Sequence, residues 1–180
     1  GETNVQTYLD RNTQMKIETL VGDYVRIQRL KNIYNAAVMI IDNETHQVIT
    51  YVGSGNFSDS TDGGQVNGAA AVRQPGSTLK PLVYGLSFDE GLLTPKKIMN
   101  DVPVNYAGYA PENYDKQFNG PVSVEYALEH SLNIPAVKAL NVLGKEKISV
   151  PLSDIGFRQI YEKQKGLGLS LILGGCGTTL

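Results

Sequence analysis

The chain is poor in the residues that metal, redox and polyanion-binding proteins depend on. Cys176 is its only cysteine, which excludes an internal disulfide and leaves too few thiols for a zinc site, so it reads as a packing residue. His46 and His130 are its only histidines; neither falls in a metal-ligand pattern, and both read as surface residues. Basic residues form no run and the formal net charge is −2, which leaves no electrostatic footprint for nucleic acid or an anionic membrane. No apolar run approaches the roughly 20 residues that span a bilayer, and the N-terminus lacks a cleavable-signal pattern, so any membrane anchor is expected outside these residues. The glycine-rich stretch 166–177 lacks the strand-to-helix setting of a nucleotide loop and reads as tight packing and turns; no cofactor and no metal are implied.

What remains suits one soluble domain over residues 1–180, since 41% of the chain is hydrophobic, enough to bury a core. Val5 to Asp10 alternates weakly like a strand, and Ile17, Leu20, Val21, Tyr24 and Val25 trace a helical stripe through about residue 31. Residues 36–41 and 48–52, joined by Asp42-Asn43-Glu44-Thr45, read as an antiparallel hairpin. Residues 54–68 read as a long surface loop. A helix is predicted over 77–90, with Pro81 tolerable near its first turn and Gly91 at its end. Residues 94–121 carry four of the eight prolines and read as ordered irregular chain. Ser123 caps a short helix, and a second runs from about Pro135 to Gly144, with Ser131-Leu132-Asn133 at the break.

Chemistry enters at Arg73-Gln74-Pro75-Gly76-Ser77-Thr78-Leu79-Lys80-Pro81. A Pro-Gly turn delivers Ser77 to the start of an apolar helix, and the three-residue spacing puts Lys80 on the same face. A serine hydroxyl needs a base, and a partly desolvated lysine near a helix N-terminus can serve. Taken alone, Ser-x-x-Lys is a weak signal, compatible with Ser77 as a cap and Lys80 as a solvated side chain. Ser131 and Asn133 add a hydroxyl and an amide that two-residue spacing can aim into one cavity, for proton relay and substrate-amide binding. They could equally satisfy exposed helix ends. Ser54-Gly55-Asn56 matches the same pattern, but it precedes Ser77 in a loop, whereas Ser131 follows it between two helices.

These residues resemble the penicilloyl-serine transferases, whose boxes are Ser-x-x-Lys, Ser-x-Asn and Lys-Thr-Gly. Gly64 to Gly68, Arg73 to Pro81, Asp89-Glu90-Gly91, Tyr109 to Tyr114, Phe118-Asn119-Gly120 and Ala127 to Val137 extend the likeness to the transpeptidase domain of bifunctional penicillin-binding proteins. The resemblance implies an α+β fold of the β-lactamase/transpeptidase type, with a helical subdomain and an antiparallel sheet. It also implies a peptidoglycan D,D-transpeptidase: Ser77 attacks a stem-peptide carbonyl, Lys80 is the base, Ser131 relays a proton and Asn133 binds the substrate amide. Penicillin and other β-lactams would occupy the same site. The setting it implies is extracytoplasmic, at the periplasmic face of a bacterial inner membrane, in a parent protein anchored there.

No Lys-Thr-Gly or Lys-Ser-Gly occurs, and the sequence ends at Gly174-Gly175-Cys176-Gly177-Thr178-Thr179-Leu180. The expectation is therefore a C-terminally cut domain with an incomplete sheet, poor acylation, and a homodimer formed through exposed sheet edge. A serine β-lactamase or D,D-carboxypeptidase would share Ser77 and Lys80, but no carboxylate is obviously placed to activate a deacylating water; Asp89, Glu90 and Asp101 read as helix-end and loop charges. A non-catalytic module that senses cell-wall peptide or β-lactam is the remaining alternative. Tyr106, Tyr109 and Tyr114 read as packing residues.

Overall fold

Ser123 and Gly144 mark helix ends as a reading of caps anticipates, Asp10 marks a third, and the helices they bound carry most of the regular structure. The computed structural model describes residues 4–157, 160 and 168–180. It divides into two compact units, Gly1–Val72 with Thr179–Leu180, and Arg73–Thr178.

In the first unit, helix α1 (Arg11–Gln28) starts where the Asp10 carboxylate accepts from the Thr13 N–H at 2.8 Å, leaving one fewer orphan donor at the helix start. The strand expected over residues 5–10 does not form; the Asp10 N–H bonds to Ile49 O at 2.9 Å, and Asp10 serves as the cap instead. Strands β1 (Val38–Ile41) and β2 (Val48–Val52) form the hairpin, Val38 opposite Val52. Val21 and Val25 of α1 pack on Val52. Gln14 covers part of the free edge of β2: its amide donates to Tyr51 O at 3.0 Å and accepts from Tyr51 N at 2.8 Å.

The second unit holds α2 (Lys80–Asp89), β3 (Ile98–Asp101), β4 (Gly120–Ser123), α3 (Val124–Glu129), α4 (Asn133–Leu143) and α5 (Lys145–Asp154). Helix α4 is central: Ile134, Ala136, Val137, Ala139 and Leu140 have no exposed surface, and it packs on α2 and on the 3-10 turn Leu169–Leu173. A helix apolar on nearly every side belongs inside. Cys176 is buried in this core.

Residues 94–121 are not wholly irregular, because β3 and β4 pair antiparallel, Asp101 opposite Gly120. The pairing is hard to foresee: Ile98-Met99-Asn100-Asp101 does not alternate, and Gly120-Pro121 argues against a strand. Helix α5 likewise escapes a propensity reading, with Pro151 inside it. The architecture is α+β with two two-stranded antiparallel sheets among the described residues. No described helix is long and apolar enough to cross a membrane.

Candidate active site

Ser77 and Lys80 occupy one continuous helical run with a change of pitch between them. Residues 76–79 form a 3-10 turn, and the Lys80 N–H donates to Ser77 O, three residues back. Pro81 explains the tightening: it has no N–H to return to that carbonyl in the α-helical register. Ahead of the turn, Arg73 and Thr178 exchange two backbone hydrogen bonds of 2.8 Å. Gly76 (φ 58) makes the corner. Gly174 (φ 92) lies so close that a Cβ there would sit 2.6 Å from Gly76 N, so glycine is required on both conformational and steric grounds.

Lys80 is 1% exposed, and its ammonium spends three hydrogen bonds on neutral oxygens: Ser131 O at 2.6 Å, Ser131 Oγ at 3.1 Å and Asn133 Oδ1 at 2.7 Å. No carboxylate pairs with it among the described residues. Desolvation with no compensating anion disfavours the charged form, and burial brings the Lys80 pKa down to about 8. Lys80, Ser131 and Asn133 are thus in direct contact. Ser77, the fourth residue singled out in the sequence, lies exposed one turn ahead, and its hydroxyl is not among the partners of Nζ.

The break between α3 and α4 has a defined geometry. The Ser131 N–H bonds to Leu128 O at 3.0 Å and the Leu132 N–H to Ala127 O at 2.9 Å; Leu132 and Ala127 pack together with Val122. That is a Schellman ending, whose left-handed position is normally glycine. Here Ser131 holds it at φ 51. A side chain retained where glycine would be cheaper signals a use for that side chain.

Asn133 is held at two points. Its Nδ2 donates to Glu112 O at 2.7 Å, and its backbone N–H donates to Asn113 Oδ1 at 2.8 Å. Because a carbonyl only accepts, the first bond fixes the amide with Oδ1 toward Lys80. Leu132, at the N-cap of α4, has no side-chain oxygen to offer, and Asn113 supplies the cap from a distance.

Behind this lies a residue that the sequence does not reveal. Asp101 reads in sequence as a loop charge; it ends β3 with no exposed surface. Its carboxylate accepts from Asn113 Nδ2 at 3.0 and 2.8 Å, and from Asn119 N and Nδ2 at 3.0 and 2.7 Å. The Tyr84 hydroxyl is also buried and has no partner among the described residues; burial and then the Asp101 charge push its pKa well above the usual phenol value. Glu90 pairs with Lys147 at the surface. Tyr106 and Tyr109 pack on the core, whereas Tyr114 is fully exposed, contrary to a packing role. His130 stacks on Tyr126. Ser54 and Asn56 lie in the first unit, beside a cavity of about 500 Å³. Among the described residues no three His, Cys, Asp or Glu side chains gather as a metal site.

Residues 36–175 match the penicillin binding protein transpeptidase domain. The chain is 37% identical over 176 residues to penicillin-binding protein 1C of Escherichia coli (strain K12), covering 98% of this chain and 23% of that protein. To penicillin-binding protein 1F of Bacillus subtilis (strain 168) it is 37% identical over 145 residues, 77% of this chain and 18% of that one. It therefore spans about a fifth of the length of these relatives. Among solved structures, the PonA1 protein of Mycobacterium tuberculosis in complex with penicillin V superposes with a TM-score of 0.73 at 19% identity, over 98% of this chain and 48% of that one. Penicillin-binding protein 1A of Haemophilus influenzae gives 0.66 at 24% identity, over 81% and 21%. By family match and by sequence identity, the chain belongs to the penicillin-binding protein transpeptidase family.

Proposed function

We propose that this chain carries the acylation half of a peptidoglycan D,D-transpeptidase site, with Ser77 as nucleophile, Lys80 as base, Ser131 as proton relay and Asn133 as the holder of the substrate amide. The observation that carries the reading is the three-way contact of the buried Lys80 amine with Ser131 and Asn133. A neutral amine has two N–H donors and one lone pair. Two of its three partners, Ser131 O and Asn133 Oδ1, can only accept and so absorb both N–H groups. The lone pair is left for a hydroxyl, which is what a general base for serine needs. With its pKa brought to about 8, the neutral form is accessible near physiological pH.

In the reaction, Ser77 Oγ bonds to the carbonyl carbon of the penultimate D-alanine of a stem peptide while its proton passes to Lys80 Nζ. The amide C–N bond then breaks, and a proton delivered through Ser131 Oγ leaves with the terminal D-alanine. An acceptor amine on a neighbouring strand reverses the sequence and releases Ser77. The Ser77 N–H, in a first turn where backbone donors lack intrahelical partners, would face the developing oxyanion. In a β-lactam the C–N bond that breaks lies in the ring, so the leaving amine stays attached and the acyl-enzyme persists. The substrate, the relay roles and an extracytoplasmic setting at the cell wall all belong to this proposal.

The sequence contains no Lys-Thr-Gly or Lys-Ser-Gly, the box that in this family supplies a cation and an oxyanion donor from a neighbouring strand. Loss of one oxyanion donor costs about 2.7–4 kcal/mol, so the chain by itself should react slowly. The test is mass spectrometry after incubation with a labelled penicillin. A single penicilloyl adduct on Ser77, formed slowly and absent from Ser77→Ala, is expected; no adduct, or one on another residue, overturns the reading. A water-transferring enzyme would release the label instead of keeping it.

A further inference from the structure

Helix α4 begins at a leucine that cannot cap it, and the group that does cap it is oriented by the buried carboxylate of Asp101. We propose that Asp101 and Asn113 are positioning residues for the reaction, setting the place of Asn133 and, through it, of the Lys80 amine.

Donor and acceptor chemistry orients each group in turn. Asp101 has no exposed surface, and an ionised carboxylate there offers only acceptors. Asn113, 4% exposed, can therefore face Asp101 only through Nδ2, which donates at 3.0 and 2.8 Å and also reaches Gln117 O at 2.8 Å. That choice turns Oδ1 the other way, toward the Asn133 N–H at 2.8 Å. The neighbouring residue completes a two-point hold, since Glu112 O accepts from Asn133 Nδ2 at 2.7 Å. With backbone and side chain both fixed, Asn133 Oδ1 meets Lys80 Nζ at 2.7 Å. Asn119 supplies the remaining donors to Asp101, so the carboxylate is satisfied without a cation, and each amide in the chain has one permitted orientation. A carboxylate is needed at this position because an amide would present a donor to a cluster already made of donors.

The role is tied to the acyl-transfer reading, but its test needs no substrate. Nuclear magnetic resonance of the isotopically labelled full chain gives two readouts. In the unsubstituted protein, a through-hydrogen-bond coupling between the Asn133 amide nitrogen and Asn113 Cγ is expected, and its absence overturns the proposal. The second readout is the protonation of Lys80, followed at its ε-carbon. Among the described residues no carboxylate, histidine, phenol or second lysine hydrogen-bonds or ion-pairs with Nζ, including Tyr84, Asp89, Asp101, Glu112, Asp115, Glu125, Tyr126, Glu129, His130 and Lys138 on the surrounding segments. Asp101→Asn lets the Asn113 amide turn over, so Asn133 Oδ1 withdraws from the ammonium. Losing an acceptor disfavours the charged form, and the proton affinity of Lys80 should fall about tenfold. The same substitution in an Asn133→Ala background should leave Lys80 where Asn133→Ala alone puts it. An unmoved Lys80, or an equal shift in both backgrounds, shows that Asp101 does not act through Asn133. If Asp101→Asn fails to fold, Asn113→Ser makes the same comparison, and the coupling in the unsubstituted chain decides in any case. Success here with no penicilloyl adduct on Ser77 would keep the positioning and discard the acyl transfer; an adduct with neither readout would do the reverse.

Discussion

The chain contains the pattern Ser-x-Asn twice, and the two copies have entirely different surroundings. At Ser131-Leu132-Asn133 the serine is held at φ 51 at a helix end and the asparagine is gripped by Glu112 and Asn113, and both meet a buried ammonium. At Ser54-Gly55-Asn56 the asparagine Oδ1 accepts from the Ser58 N–H at 3.1 Å, a local turn contact two residues away. The serine and the asparagine are the same in both; what differs is whether the fold brings a desolvated lysine to face them. Chemistry of this kind resides in the juxtaposition, and the difference can be widened or erased by substitution.

The largest effect should come from removing the lysine that separates the two copies. Lys80→Ala takes away the proposed base, and such groups contribute about 10²- to 10⁴-fold; the rate of penicilloyl adduct formation should fall by that much, while Lys97→Ala, at an exposed lysine whose amine donates to Leu92 O, leaves it unchanged. If both variants react alike, the buried lysine is not the base. The next comparison is between the asparagines. Asn133→Ala removes a hydrogen bond to a charged group, about 1.5–3 kcal/mol, and should slow acylation by one to two orders of magnitude. Asn56→Ala should stay within about 0.5 kcal/mol in stability and leave acylation alone. An Asn56 effect as large as that of Asn133 would remove the distinction between the copies.

How far these features are legible in sequence follows from what kind of contact makes them. Lys80 lies three residues from Ser77, so their shared face follows from helix spacing, and Ser131 lies two from Asn133 at a break between helices, where both can be aimed into one cavity. The hairpin follows from apolar runs around Asp42-Asn43-Glu44-Thr45, and the caps at Ser123 and Gly144 from local backbone demands. Asp101 and Asn113 are not legible, because neither role is local. Asp101 becomes a buried acceptor only once β3 pairs with β4 across an irregular stretch, and Asn113 caps a helix that begins twenty residues later. The tilt of the Ser77 turn into 3-10 geometry is implicit in Pro81, whose missing N–H leaves the Ser77 carbonyl to Lys80. That Pro151 sits inside α5 has no counterpart in propensity; packing of Ile148 and Leu152 into the core overrides it.

Ser131 allows stability and reactivity to be separated at one position. Ser131→Gly relieves a left-handed conformation that glycine adopts without strain, and should stabilise the second unit by up to about 1 kcal/mol in thermal or denaturant unfolding. The same change deletes the hydroxyl beside Lys80 Nζ and should slow acylation. Ser54→Gly, by contrast, should change neither reactivity nor the second unit. A destabilised Ser131→Gly would mean that the serine side chain is retained for folding, which would weaken the case for a relay.

The smallest effect is a slope of stability with pH, and it also separates the buried lysine from every exposed one. Lys80 titrates at about 8 in the folded chain and near 10.4 when unfolded. Between these values the unfolded state binds the extra proton, so stability rises with pH, by at most about 1.4 kcal/mol per unit. Below about 8 both states are protonated and the slope from this group vanishes. Burial raises the Cys176 thiol above its ordinary value, and Tyr84, Tyr106 and Tyr109 above theirs. Each of those groups holds its proton longer when folded and lowers stability as pH climbs past about 8.5 for the thiol and about 10 for the phenols. The window in which Lys80 acts nearly alone is therefore pH 8 to about 8.5, where the midpoint of denaturant unfolding should climb. In Lys80→Met the climb should disappear, because no titrating amine remains buried among the described residues; a climb of equal size in that variant would place its origin outside the site.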